Sequence, residues 1–247
     1  MSGHSKWSTI KRKKGAEDAK RGKIFTRLAR EITVAARSGG GDPSANAALR
    51  LAVDKARDAN MPKDNIERAI KRGTGELEGG ELEEITYEGY APHGVALLVK
   101  CLTDNRNRTL SEVRRVFNRA GGSLAEAGAV AWMFEAKGYL TVARDNADPD
   151  DIFMMAVDAG AEDVEVSDDF VEIYTDPGDL HWVREGLAGR GLTVEDAELS
   201  QVPKTMITLA EKETLHVMNM IESLEELDDV QQVYSNLDIS EEILATV

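Results

Sequence analysis

Ten lysines and arginines fall between Lys6 and Arg30, and only Glu17 and Asp18 oppose them before Glu31. Lys6, Lys11, Arg12, Lys13 and Lys14 lie in a stretch with few large apolar groups; Lys20, Arg21, Lys23, Arg27 and Arg30 continue the run. The chemistry open to such a run is phosphate neutralisation. Each contacted phosphate releases condensed counterions, so binding weakens steeply with salt. Trp7 sits among the cations with no helical apolar stripe around it, and an aromatic ring so placed can stack on an unpaired base. Together with His4, Ser5 and Arg37 these residues form the expected nucleic-acid-binding set. A solvated tail with a stray tryptophan is the alternative. The continuation of the cations onto a helical face favours binding.

A second cluster, Arg106, Arg108, Arg114, Arg115 and Arg119, is interleaved by Asn105 and Asn107 in otherwise acidic surroundings. It reads either as a secondary nucleic-acid contact through Asn105, Arg106, Asn107, Arg108 and Arg115 or as intramolecular pairing with the acidic body. Catalytic constellations do not emerge. His4, His93, His181 and His216 are scattered, without paired metal-ligand spacing. Gly39-Gly40-Gly41 lacks the Gly-Lys-Ser/Thr ending of a phosphate loop and falls between predicted helices, not after a strand. The acidic pairs Asp150-Asp151, Asp168-Asp169 and Asp228-Asp229 fit no calcium loop and read as structural or solubilising. Cys101, the single cysteine, lies in an apolar run and reads as a small buried hydrophobe in a reducing compartment. The expectation is a non-enzyme with no metal, no cofactor and no small-molecule substrate.

The elements that must carry these residues follow from charge and periodicity. The 247 residues suit two or three domains. A net charge of −15 hides a split. Residues 1–72 hold 18 Lys and Arg against 8 Asp and Glu, net +10, and the rest hold 12 against 37, net −25. That asymmetry assigns the polyanion partner to the basic part. No apolar run reaches the ~18 residues of a membrane span, and no apolar core follows the first charges as in a secretory signal; a cytoplasmic location is expected.

Residues 16–38 read as a helix with Ile24, Leu28, Ile32 and Ala35 on one face and the basic stripe on another. Asp42-Pro43 reads as the cap and first turn of a second helix carrying Leu49, Ala52, Val53 and Ala56. Asn60-Met61-Pro62 ends it, and a short third helix presents Ile66, Ala69 and Ile70. Glycines at 73, 75, 79 and 80 read as a linker. Thereafter the pattern is mixed. Ile85–Tyr90 and Gly94–Thr103 read as strands, Thr109-Leu110-Ser111-Glu112 as a capping box opening a helix, and Val130–Phe134 as a strand. Residues 137–201 follow the order β-α-β-β-α-β of a ferredoxin-like split. A last helix, about 208–226, precedes a strand near 230–234. The predicted fold is α+β: an N-terminal three-helix domain (1–78, with the basic arm), then two ferredoxin-like domains, with 136–202 inserted into one made of 79–135 and 203–247. With no heptad segment, a monomer is expected.

Several of these stretches resemble the YebC/PmpR family. They are Gly3-His4-Ser5-Lys6-Trp7, the run Asp18 to Phe25, Gly39 to Pro43, Asn60-Met61-Pro62 with Ile66 to Ile70, Tyr87 to Tyr90, and Leu102 to Thr109. The resemblance extends over essentially the whole chain. His93 departs from it, standing where a glycine-like residue is expected. The resemblance implies a three-domain α+β protein and two functional traditions. Bacterial members are described as DNA-binding transcriptional regulators. Others, including the mitochondrial translational activator of cytochrome oxidase, look like ribosome-associated factors that help translation through sequences such as proline runs. The expected partner is DNA or ribosomal RNA, with the ribosome as the alternative assembly.

Overall fold

The computed structural model describes residues 18–78, 82–144, 148–167, 170–240 and 243. The basic arm from His4 to Lys14, Gly79-Gly80 and Asp168-Asp169 lie outside the described residues. The chain divides into two compact units, one of them Phe134–Val202 and the other holding the flanking segments.

The larger unit opens with α1 (Asp18–Gly39), α2 (Ala47–Asp58) and α3 (Lys63–Gly73). Ile32 and Ala36 of α1 are buried against Leu49, Val53 and Ala56 of α2 and Ile66 and Ala69 of α3, with Met61 closing the end. Each such large side chain contributes about 1.5–3 kcal/mol by leaving water. α1 is the centre: it packs on both other helices, which touch each other little. Gly73 makes the α1–α3 approach close, since a Cβ there would collide with the Thr33 carbonyl and the Ala36 methyl. It is the buried last residue of α3 rather than linker.

The second helix is capped by Asn46, not Asp42. The Asn46 side-chain oxygen accepts from the Leu49 N–H at 3.1 Å, and its amide donates to the carbonyls of Ala35 at 2.8 Å and Gly40 at 2.9 Å. One buried amide thus starts α2 and satisfies the end of α1. Asp42 instead shapes the preceding turn, accepting from the Ser44 N–H at 2.9 Å and its hydroxyl at 2.7 Å.

The chain then forms β1 (Glu83–Tyr90) and β2 (Ala96–Thr103), antiparallel with Glu83 opposite Thr103 and Tyr90 opposite Ala96. Their connection holds His93 at φ 65°, a left-handed conformation that favours glycine. Next come α4 (Arg106–Ala120) and β3 (Ser123–Ala125). α4 begins at Asn105, whose side chain accepts from the Arg108 N–H at 3.1 Å, so Thr109 lies inside the helix rather than capping it. Residues 130–133 are not strand. Glu88 collects the N–H groups of Gly128 at 2.6 Å, Val130 at 2.8 Å and Ala131 at 2.9 Å. That carboxylate curls the segment into a loop and a single 3-10 turn before the next strand begins at Phe134.

The smaller unit comprises β4 (Phe134–Ala143), α5 (Pro149–Ala159), β5 (Asp163–Val166), β6 (Phe170–Thr175), α6 (Leu180–Gly189) and β7 (Val194–Pro203). Its sheet order is β5-β6-β4-β7, so the first and third strands of a β-α-β-β-α-β chain lie at the centre, as in a ferredoxin-like split. Leu140 pairs with Ile173 and Val142 with Val171 on one face. Ile152 and Ala156 of α5 and Leu180, Val183 and Leu187 of α6 supply the buried helical side.

The chain returns to the larger unit as β8 (Ile207–Thr208), α7 (Glu211–Glu225), β9 (Val230–Ser235) and β10 (Leu237–Asp238). β9 completes a four-stranded sheet of order β3-β1-β2-β9. Leu97, Val99 and Cys101 of β2 pack with Val113 and Phe117 of α4 and Val217, Ile221 and Leu224 of α7. Two helices thus cover one face, as in the inserted unit, but the chain reaches this layout through an opening β1–β2 hairpin. Burial pushes the Cys101 thiol up to about 12, which suits a packing residue.

Candidate nucleic-acid interface

The described part of the basic stripe begins with α1, and most of it faces protein. Lys23 donates to the Glu226 carbonyl at 3.1 Å, just past the end of α7, where a cation meets the negative end of the helix dipole. Arg30 donates to the Asp228 carbonyl at 2.6 Å, the Leu102 carbonyl at 3.2 Å and the Asp229 carboxylate at 2.9 Å. Arg37 reaches the Leu82 carbonyl at 3.1 Å. These cations fasten the helices to the α+β body, because the body offers a row of carbonyls and a buried carboxylate there. Arg27 has no ion-pair or hydrogen-bond partner among the described residues. Lys20 and Arg21 fall on the first turn of α1, with side chains outside the description.

Asp229, 2% exposed, is the hub. Besides Arg30 it accepts from Arg108 at 2.7 Å, Thr109 at 2.7 Å and Thr103 at 3.1 Å. Burial alone would raise its pKa, but the bonds from Arg108, Thr109 and Thr103 outweigh that and hold it below the usual value. Arg108 also pairs with Asp104 at 2.8 Å, and Arg106 with Glu83 at 3.2 Å. The front of the second cluster is thus spent on intramolecular bonds, with Asn105 as a cap. Asn107 is exposed, and only its backbone carbonyl, which accepts from Ser111 at 2.8 Å, has a described role. Arg114, Arg115 and Arg119, further along α4, are exposed and without side-chain partners among the described residues.

A second free group lies outside the set expected from the sequence. Arg68, Lys71 and Arg72 of α3 are exposed, and none has a side-chain partner among the described residues. The spacing carries the signal: Asn65, Arg68 and Arg72 recur at i, i+3 and i+7, on a stripe about 100° around the helix from the buried Ile66, Ala69 and Gly73. Arg68 and Arg72 line a cleft of about 520 Å³ between α3 and α1. Among the described residues no group of three or more His, Cys, Asp or Glu side chains is placed to hold a metal. No described helix is long and apolar enough to cross a membrane.

Two family models match this architecture. The TACO1/YebC protein N-terminal domain covers residues 5–76, and the TACO1/YebC second and third domain covers residues 82–237. The chain belongs to the TACO1/YebC family. Relatives within it are close and full-length. A probable transcriptional regulatory protein of Syntrophotalea carbinolica is 56% identical over 100% of this chain and 99% of its own. One of Dehalococcoides mccartyi is 54% identical over 99% and 97%. The crystal structure of a conserved hypothetical protein of Aquifex aeolicus, 48% identical, matches with a TM-score of 0.86 over 92% of this chain and 94% of that one. His93 of this TACO1/YebC chain stands in a backbone conformation suited to glycine, which accounts physically for the glycine-like residue expected there.

Proposed function

We propose that this protein is a non-enzymatic, cytoplasmic nucleic-acid-binding regulator of gene expression. The observation that carries the reading is the set of exposed cations left over after the internal pairs are made: Arg68, Lys71 and Arg72 on α3 and Arg114, Arg115 and Arg119 on α4. Surface cations without side-chain partners among the described residues, in a chain whose net charge is −15, stand out against a large excess of acids, and phosphate is the ligand that uses them. Lys6, Lys11, Arg12, Lys13 and Lys14 add five more cations in the N-terminal stretch. The names of the relatives, probable transcriptional regulatory proteins, favour DNA as the polymer.

A second reading, a ribosome-associated translation factor, is favoured by a different observation. The long helix α1 spends Lys23, Arg30 and Arg37 on the body, and the spare cations are divided between two elements. That distribution suits phosphate and shape recognition of folded RNA better than a basic helix laid along a major groove. Co-sedimentation with ribosomes beside a DNA mobility shift at matched salt separates the two. Ribosome binding that persists where DNA binding is lost selects the translation factor. Site-selective DNA binding without ribosome association selects the transcriptional regulator. Binding to neither rejects the proposal.

A further inference from the structure

We infer that the cleft between α1 and α3 receives one unpaired nucleotide of the bound strand; this deepens the proposed function and rests on it. The two walls of the cleft are chemically different. On α3, Asn65, Arg68 and Arg72 lie along one stripe, and all three side chains are without partners among the described residues. On α1, Phe25, Ala29 and Thr33 recur every fourth residue and face them. The Thr33 hydroxyl is turned inward, its single proton shared between the carbonyls of Ala29 at 2.8 Å and Ala69 at 3.1 Å. With Thr33 buried and its hydroxyl so occupied, the apolar surface of this wall is that of Phe25 and Ala29, flanked by Thr26 and Arg30.

A volume of about 520 Å³ lies in the range of small-ligand sites, roughly 300–1,000 Å³. A ligand that satisfies both walls needs a flat apolar body, a hydrogen-bonding edge and an anion. A nucleotide has all three. The base lies against Phe25 and Ala29, the Asn65 amide meets its edge with one donor and one acceptor, and the flanking phosphate sits between Arg68 and Arg72, one helical turn apart. Charge fixes the direction of entry. Arg30 also lines the cleft, but its charge is already met by Asp229 at 2.9 Å. Glu78 and Asp104 also line the cleft and repel an anion, so the phosphate is drawn to Arg68 and Arg72. A base paired in a duplex cannot enter, because its edge and both its faces are already occupied.

The test compares two RNA probes of equal length, a hairpin with an unpaired loop and a perfect duplex, by fluorescence anisotropy with the full chain. The same pair of probes in DNA reads the sugar preference. The wild type is expected to bind the hairpin ~10-fold or more tightly than the duplex, the scale of one base stacked on protein. Asn65→Ala and the double variant Arg68→Ala/Arg72→Ala should erase that preference, with circular dichroism unchanged. Lys71→Ala, one phosphate contact outside the cleft, should weaken both probes equally and keep the preference. Equal wild-type affinity for hairpin and duplex in both polymers overturns the inference while leaving the proposed function standing, as does a preference that survives the cleft substitutions. Failure to bind any probe rejects both.

Discussion

The Arg30 guanidinium and the Asp229 carboxylate meet at 2.9 Å across 199 residues of chain. Asp229 also holds Arg108 and two threonines, so one buried acid ties α1 to the start of α4 and the turn before β9. Removing it strands Arg30 and Arg108 beside a low-dielectric pocket. Breaking a fully buried ion pair by deleting one partner costs about 3–5 kcal/mol; the guanidiniums of Arg30 and Arg108 are 20% and 43% exposed, and water screening reduces the cost here to about 2 kcal/mol. Asp229→Ala should therefore lower the unfolding free energy by that amount at unchanged urea slope, while Asp229→Asn, which keeps one acceptor oxygen, should lose less. A cost below about 1 kcal/mol for the alanine variant would show that the hub is not what holds the helices.

The same acid sets a pH dependence. Asp229 and Glu88 both resist their own burial and titrate below the ordinary carboxylate range, Asp229 through Arg108, Thr109 and Thr103, Glu88 through the N–H groups of Gly128, Val130 and Ala131. A folded-state pKa below the unfolded one gives stability that is present above the unfolded value, about 4. It is lost as pH falls through the folded value. Thermal midpoints should be flat from about pH 7 to 5 and fall below about pH 4. Asp229→Asn should start lower and fall less steeply. Parallel curves for the two proteins would contradict the linkage.

Asn46 makes a sharper test of local packing. Its amide donates to the carbonyls of Ala35 and Gly40 while its oxygen caps α2. Asn46→Asp keeps the cap but sets a carboxylate oxygen against two carbonyls, and should cost about 2 kcal/mol or more. Asn46→Ser, also a good cap residue, should cost less, about 1 kcal/mol. If aspartate is tolerated as well as serine in thermal denaturation, the bond to α1 contributes nothing.

The periodicity of the sequence located the helices well because apolar stripes such as Ile32 and Ala36, or Leu49, Val53 and Ala56, are decided within one element. Caps are less legible. Asp42 and Thr109 are sound cap residues standing near Asn46 and Asn105; Asn46 is singled out by its bonds to the Ala35 and Gly40 carbonyls, and Thr109 is drawn away by Asp229 and Thr103. The segment 130–133 looked like strand because its apolar run is local, whereas the carboxylate that bends it comes from Glu88, some forty residues earlier. The same holds for the basic stripe. Spacing places Lys23, Arg30 and Arg37 away from the apolar face of α1, but the acceptors that occupy them are supplied by Leu82, Glu226 and the Asp228–Asp229 turn. Long-range acceptors leave no periodic trace in the helix that meets them.

The division between spent and spare cations predicts opposite phenotypes. Arg114, Arg115 and Arg119 are exposed on α4 with no side-chain partner among the described residues, so replacing all three by alanine should leave the unfolding free energy within about 0.5 kcal/mol. If they neutralise phosphates, affinity for nucleic acid falls, and the slope of log affinity against log salt becomes shallower by about 0.7–0.9 for each phosphate left without its arginine. Arg30→Ala should do the reverse, lowering stability by uncovering Asp229 while leaving the salt slope nearly unchanged, since that guanidinium is already committed to the body. Titrations at four or five salt concentrations, paired with urea melts, read both effects on the same proteins. A triple variant that keeps the wild-type slope would remove α4 from the interface. An Arg30 variant that is as stable as the wild type but shallower in slope would return α1 to it.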